Sequence, residues 1–183
     1  MSAVQRGKIK CIVTGDDADG AAHIYRSLLC IPPIFENEAV EMLVSLGVVL
    51  VGIPCVPTSR YERLRQLANH ETDVIVLCFS LLNQDGYVRV YEKWYAEIRR
   101  LSPYTPILLV GMRRGICGDI GTVRWMGEQE RSAPLTHSDG VRLCRDIGAV
   151  GYVEVPIPIR DDCIRRVSME AVKAAMVRRK YVK

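Results

Sequence analysis

The sequence predicts an α/β fold in which a largely parallel sheet lies in one layer between two layers of helix. Three observations predict it. Asp73 to Ser80, Asp-Val-Ile-Val-Leu-Cys-Phe-Ser, is a continuous apolar run of strand length. Such a run is buried on both faces, the habit of a parallel strand whose crossover connections lay helices over each side. Similar runs recur at Ile9 to Val13, Val48 to Ile53 and Ile107 to Val110, and the segments between them have helical period, the alternation of a doubly wound sheet. Finally, Val40 to Leu46 and Val48 to Ile53 meet tightly at Gly47, which reads as an antiparallel hairpin at one edge of that sheet.

A chain of 183 residues with 49% hydrophobic and 25% charged residues suits one soluble globular domain. Its formal net charge of +4 is too small to indicate a nucleic-acid partner, and none is expected. Cys11 and Cys78 fall inside core strands where a small hydrophobe is wanted. Cys30, Cys55, Cys117, Cys144 and Cys163 show no metal-ligand spacing, so no metal site is expected. No secretory signal precedes the first strand, and free thiols in a reducing compartment place the chain in the cytosol or nucleus. His23, His70 and His137 are scattered, read as surface or capping residues, and no catalytic residue is assigned.

In chain order, the strand Lys8 to Thr14 leads into Gly15-Asp16-Asp17-Ala18-Asp19-Gly20-Ala21-Ala22 and a helix reaching about Leu29. A strand, a loop with glycines five apart and a helix are the setting of a phosphate-binding loop. The chemistry is missing, because Ala21 and Ala22 stand where a lysine and a magnesium-binding hydroxyl are needed. Each lost charge-assisted bond is worth roughly 1.5 to 3 kcal/mol. A carboxylate such as Asp17 or Asp19 about 7 Å from a phosphate adds roughly 2 kcal/mol of repulsion. Together these weaken nucleotide binding by on the order of a million-fold.

Further along, Ile31-Pro32-Pro33-Ile34-Phe35-Glu36-Asn37 is extended because prolines forbid helix. Pro54-Cys55-Val56-Pro57-Thr58 is irregular for the same reason, and Ser59 with Glu62 forms a capping box opening the helix Arg60 to Asn69. Tyr91, Trp94, Ile98 and Leu101 mark the buried face of a helix, opposite Arg89, Glu92, Lys93 and Arg99. The last helix, Asp161 to about Lys180, carries acids at its start and Arg178, Arg179 and Lys180 at its end, as the helix dipole favours. Ile164, Val167, Ala171 and Ala174 give it a buried stripe.

Several of these segments carry a family resemblance. Tyr61-Glu62-Arg63-Leu64-Arg65, Thr72 to Ser80, Glu92-Lys93-Trp94-Tyr95 and Pro106-Ile107-Leu108-Leu109-Val110-Gly111 resemble a small GTPase of the Rho and Rac branch. Ile31 to Asn37 is similar to the effector segment of switch I, and Asp146 to Tyr152 to the approach to the last strand. The resemblance implies a single G domain over residues 1–183, with a six-stranded sheet, one antiparallel edge strand and a Rho-type helical insert at about 115–134. Trp125 in that insert, near Val123 and Met126, is read as packing on the domain; exposed, it would make the insert a second docking surface.

The departures from the family fall on its chemistry. The switch I threonine is replaced by Pro33, and the segment before it is about seven residues shorter than the family's. In switch II, Pro54 to Thr58, including Pro57, replaces the Asp-Thr-Ala-Gly-Gln run. The guanine-reading motif is Met112-Arg113-Arg114-Gly115, and the Ser-Ala-Lys motif is Pro156-Ile157-Pro158. All five nucleotide motifs depart while the core pattern stays, and random decay would hit both. The resemblance therefore implies a pseudoGTPase, with no cofactor and no metal, acting as a protein-binding module.

The expected partner face is Ile31, Pro32, Pro33, Phe35, Glu36 and Asn37 with Tyr61, Arg63, Leu64 and Arg65; Tyr61 and Leu64 would otherwise pack on the sheet. Prolines 32, 33, 54 and 57 hold the region in one conformation. One alternative retains GTP or GDP with magnesium, Arg113 and Arg114 or backbone amides replacing the lost groups; another is a scaffold domain of a larger regulator. The same two arginines would otherwise offset the acidic loop from Asp16 to Asp19, or stand as solvated charges. The final Lys180-Tyr181-Val182-Lys183 lacks the prenylation box of Rho proteins, so no lipid anchor is expected and a cytoplasmic location is, with membrane association only through partners or a longer chain.

Overall fold

The computed structural model describes residues 8–16, 24, 40–44, 48–53, 72–114, 134–158 and 160–181. Strands β1 (Lys8–Gly15), β2 (Val40–Val44), β3 (Val48–Ile53), β4 (Val74–Ser80), β5 (Ile107–Arg114) and β6 (Gly151–Ile157) lie in the order β2-β3-β1-β4-β5-β6. Its core is the parallel set β1-β4-β5-β6. β3 joins it parallel to β1, and β2 runs antiparallel to β3. After β4, helix α1 (Gln84–Arg89) passes through a π-helical segment (Val90–Tyr95) into α2 (Ala96–Leu101). Helix α3 (His137–Asp146) precedes β6, and α4 (Asp161–Tyr181) follows it.

β4 holds the centre because every residue from Val74 to Phe79 is removed from water. Its side chains alternate between two cores, as strand geometry requires. Val74, Val76 and Cys78 face α4, packing with Cys11, Val13, Val110, Ile164, Val167 and Ala171. Ile75, Leu77 and Phe79 face the other helical layer, packing with Val90, Trp94, Ile98 and Leu143. The expected stripe of α4 is therefore the buried one, and Cys11, Cys78 and Trp94 are core residues. Asp73 fixes the register at the start of β4: its carboxylate accepts from the Lys10 N–H at 2.8 Å, while its own N–H donates to the Lys10 carbonyl at 2.9 Å.

Two elements differ from the sequence expectation. Tyr91 was placed on the buried helical face, yet it is 50% exposed. The buried stripe instead runs Val90, Trp94, Ile98, because the wider π turn brings residues four apart into line and swings Tyr91 outward. β5 does not end at Val110 but continues through Arg114, with Met112 opposite Val155, Arg113 opposite Pro156 and Arg114 opposite Ile157. Each added residue satisfies backbone groups in the ladder that a loop would leave to water.

The end of β1 is set by one close approach. Gly15 has φ of +157°, and a Cβ there would lie 1.9 Å from the Cys78 carbonyl oxygen, which belongs to the neighbouring strand's backbone and has no room to retreat. Gly15→Ala is therefore expected to lose about 3 kcal/mol or more of stability. Urea denaturation checks this, and an unchanged midpoint would show that the strands separate freely at this point.

Candidate functional site

In open α/β sheets, ligands are taken at the carboxyl ends of the strands. The described residues place two polar clusters there. One stands where β1 ends. The Asp16 N–H donates to the Cys78 carbonyl at 3.0 Å, and this turns the Asp16 side chain toward α1. The Asp16 carboxylate accepts two bonds from Arg89, from Nε and from an Nη, both at 2.7 Å. That hydrogen bonding to Asp16 holds the Arg89 guanidinium above its usual range. Asn83 caps α1 by accepting from the Gly86 N–H at 3.0 Å. Gly86 lies so close to Asp16 that a Cβ on it would come within 2.9 Å of Oδ2. The first acid of the loop is thus neutralised by a bidentate partner 73 residues away.

The second cluster is built on β6. Glu154 Oε1 accepts from the Tyr152 hydroxyl at 3.0 Å and lies 2.9 Å from Nδ1 of His137, and Oε2 accepts from an Arg113 Nη at 3.1 Å. Burial first, and then the charge of Glu154, push the Tyr152 phenol well above its usual range, so Tyr152 stays a neutral donor. His137 opens α3, whose N-cap Thr136 forms a capping box with Asp139. Hydrogen bonds from the Thr136 hydroxyl and N–H hold the Asp139 carboxyl below its usual range. The Tyr152 ring lies 6.4 Å from Phe79 and 5.4 Å from His137, centroid to centroid.

These contacts decide the chemistry available. Glu154 is shared among three partners, so it is not poised as a base. Arg113 is held by Glu154, and Asp16 is held by Arg89, so Asp16 is offset by Arg89; Asp17 and Asp19 lie outside the described residues. Cys11, Cys78, Cys144 and Cys163 are free thiols. Burial pushes Cys11 up to about 12 and also raises Cys144 and Cys163, which suppresses thiolate nucleophiles. Among the described residues no group of His, Cys, Asp and Glu has the arrangement of a metal site.

Of the sequence-derived site positions, Gly15, Met112, Arg113, Pro156 and Ile157 are described. Gly15 ends β1, while the other four lie inside the β5–β6 ladder. Met112 is fully buried in the core facing α4. Asp17, Asp19, Gly20, Ala21, Ala22, Ile31, Pro32, Pro33, Phe35, Glu36, Asn37, Pro54, Pro57, Thr58, Tyr61, Arg63, Leu64, Arg65 and Gly115 lie outside the described residues, as do 115–133 of the expected insert. Sequence reasoning missed Arg89, Tyr152, Glu154 and the role of His137. The Thr136-x-x-Asp139 spacing was the one local signal available.

The Asp16–Arg89 bond is bidentate but only partly sheltered, with side-chain exposures of 11% and 36%. Solvent screening reduces its worth, so Arg89→Met and Asp16→Asn are each expected to cost about 1 kcal/mol, and the double variant less than their sum. A double-mutant cycle in urea measures this; strict additivity would mean that the two groups do not act as a pair.

A family model described as Ras: Ras family matches residues 57–163, more than half of the chain. The matched span contains β4, β5, β6 and the helices between them. With its parallel sheet, flanking helices and glycine-limited turn after β1, this chain belongs to the Ras family.

Proposed function

We propose that this Ras-family chain is a pseudoGTPase of the Rho branch, a single G domain with an antiparallel edge strand and a helical insert at 115–134. In this reading it neither binds nor hydrolyses GTP and serves as a cytoplasmic protein-binding module. The observation that carries the reading is the course of β5. Positions that align with the guanine-reading motif are drawn into a ladder with positions that align with the Ser-Ala-Lys motif, Arg113 opposite Pro156 and Arg114 opposite Ile157. The position that would present a carboxylate to the base is Gly115, which has no side chain to do so. Here Met112 is sealed in the core and Arg113 is spent on Glu154.

At the other end of the site, Asp16 is saturated by Arg89, while Ala21 and Ala22 supply neither the lysine nor the hydroxyl that phosphoryl transfer uses. Signalling without nucleotide then falls to surfaces of fixed shape. The effector-like residues Phe35 and Arg65, or the insert, supply the partner face. Among the described residues no helix is long and apolar enough to cross a membrane.

Calorimetry and thermal unfolding of the purified chain with GDP, GTP and ATP, each with and without magnesium, test this. No saturable heat and no rise in melting temperature are expected. A nucleotide bound at a hundredfold excess over its Kd would add about 2.7 kcal/mol of stability, and that result would overturn the reading. Phe35→Ala and Arg65→Ala are expected to weaken capture of a partner while leaving the melt unchanged.

A further inference from the structure

The outward face of α4 exposes apolar side chains among its charged ones. Its inward face buries Ile164, Val167, Ala171, Val172, Ala174 and Ala175, as a helix packed on a sheet should. The opposite face of such a helix is ordinarily charged throughout. Here Met169, Met176 and Val177 stand 45%, 46% and 56% exposed. Met169 and Met176 are seven residues apart, two helical turns along one line, the spacing of a seam that receives the side chains of a second helix.

The charges around the seam have a positive excess. Arg165, Arg166 and Lys173 are exposed on the same face. The acids nearby are already engaged: Glu170 accepts from Lys173 at 2.7 Å, and Asp162 pairs with Arg160 at 3.2 Å. Arg165 and Arg166 make no ion pair among the described residues. An apolar seam flanked by two arginines with no ion pair among the described residues is complementary to an apolar seam flanked by acids.

We propose that this face of α4, from Arg165 to Val177, docks an acidic amphipathic helix of a partner protein. The seam is about 18 Å long, matching three to four turns of such a helix. Methionine suits the purpose, since its flexible thioether adapts to whatever leucine or phenylalanine the partner presents. An anionic lipid surface is disfavoured, because the exposed sector offers no tryptophan, phenylalanine or leucine to enter the acyl boundary. None of Arg165, Met169, Met176 and Val177 is a nucleotide-site position, so the nucleotide titration above and the experiment below succeed or fail separately.

The test is a titration of the full chain with a synthetic helical peptide bearing leucines at heptad spacing and flanking glutamates, followed by the methyl resonances of Met169 and Met176. Its twin, with lysines for the glutamates, is the control. Saturable shifts at both methyls with the acidic peptide alone, weakened by added salt and reduced about tenfold by Met169→Glu or by Arg165→Glu, are expected. Both substitutions are at exposed positions, and an unchanged thermal melt confirms that each variant is folded. Equal binding of the twin, shifts confined to other methyls, or no binding would overturn the proposal. So would protection of the two methyls by vesicles of anionic lipid, or a self-association that Met169→Glu abolishes, since these assign the face to a membrane or to a second copy.

Discussion

The carbonyl oxygen of Cys78 sets how β1 ends beside β4. It sits in a strand buried from Val74 to Phe79 and accepts the Asp16 N–H. It also comes so close to Gly15 that no side chain fits there. These two contacts set the backbone at the end of β1 and the placement of Asp16 beside α1. There Asp16 meets Arg89, and the loop begins with its first carboxylate already occupied. At the described start of this loop an anion would face a neutralised pair rather than a free cation.

How much of this was legible in the sequence depended on how local the cause was. β4 could be read directly because its burial on both faces leaves a continuous apolar run, and the α4 stripe because its period is that of a helix. Trp94 was legible for the same reason, whereas Tyr91 was misplaced because hydrophobic spacing assumes an α-helical turn and the chain takes a π turn there. The length of β5 was not legible. Gly111 to Arg114 has no strand signature of its own, and it is the pairing with Glu154 to Ile157 that extends it. The Asp16–Arg89 and Arg113–Glu154 pairs join residues 73 and 41 apart, and no spacing rule links such positions.

The Ras family match at 57–163 contains the segments from Tyr61 to Gly111 on which the resemblance drawn from sequence is most specific. What distinguishes this protein lies in how polar groups at the strand ends are satisfied. In a site built for a ligand, some donors and acceptors wait for it. At the described strand ends the arginines and acids have found one another instead. The same residue types that would recognise a charged ligand act here as internal fasteners, joining β1 to α1 and β5 to β6 and α3.

Tyr152 carries a consequence for how this chain can diverge. A Cβ on Gly140 would lie 2.1 Å from its ring, and one on Gly111 would lie 2.4 Å from its hydroxyl oxygen. The phenol thus occupies volume that two absent side chains leave empty, and α3 rests on the sheet through that slot. Enlarging either glycine expels the ring, while shrinking the ring opens a void beneath the helix. The three positions form one unit of inheritance: across descendants of this sequence, Gly111, Gly140 and Tyr152 should be exchanged together or kept together, a covariation visible without any functional assay.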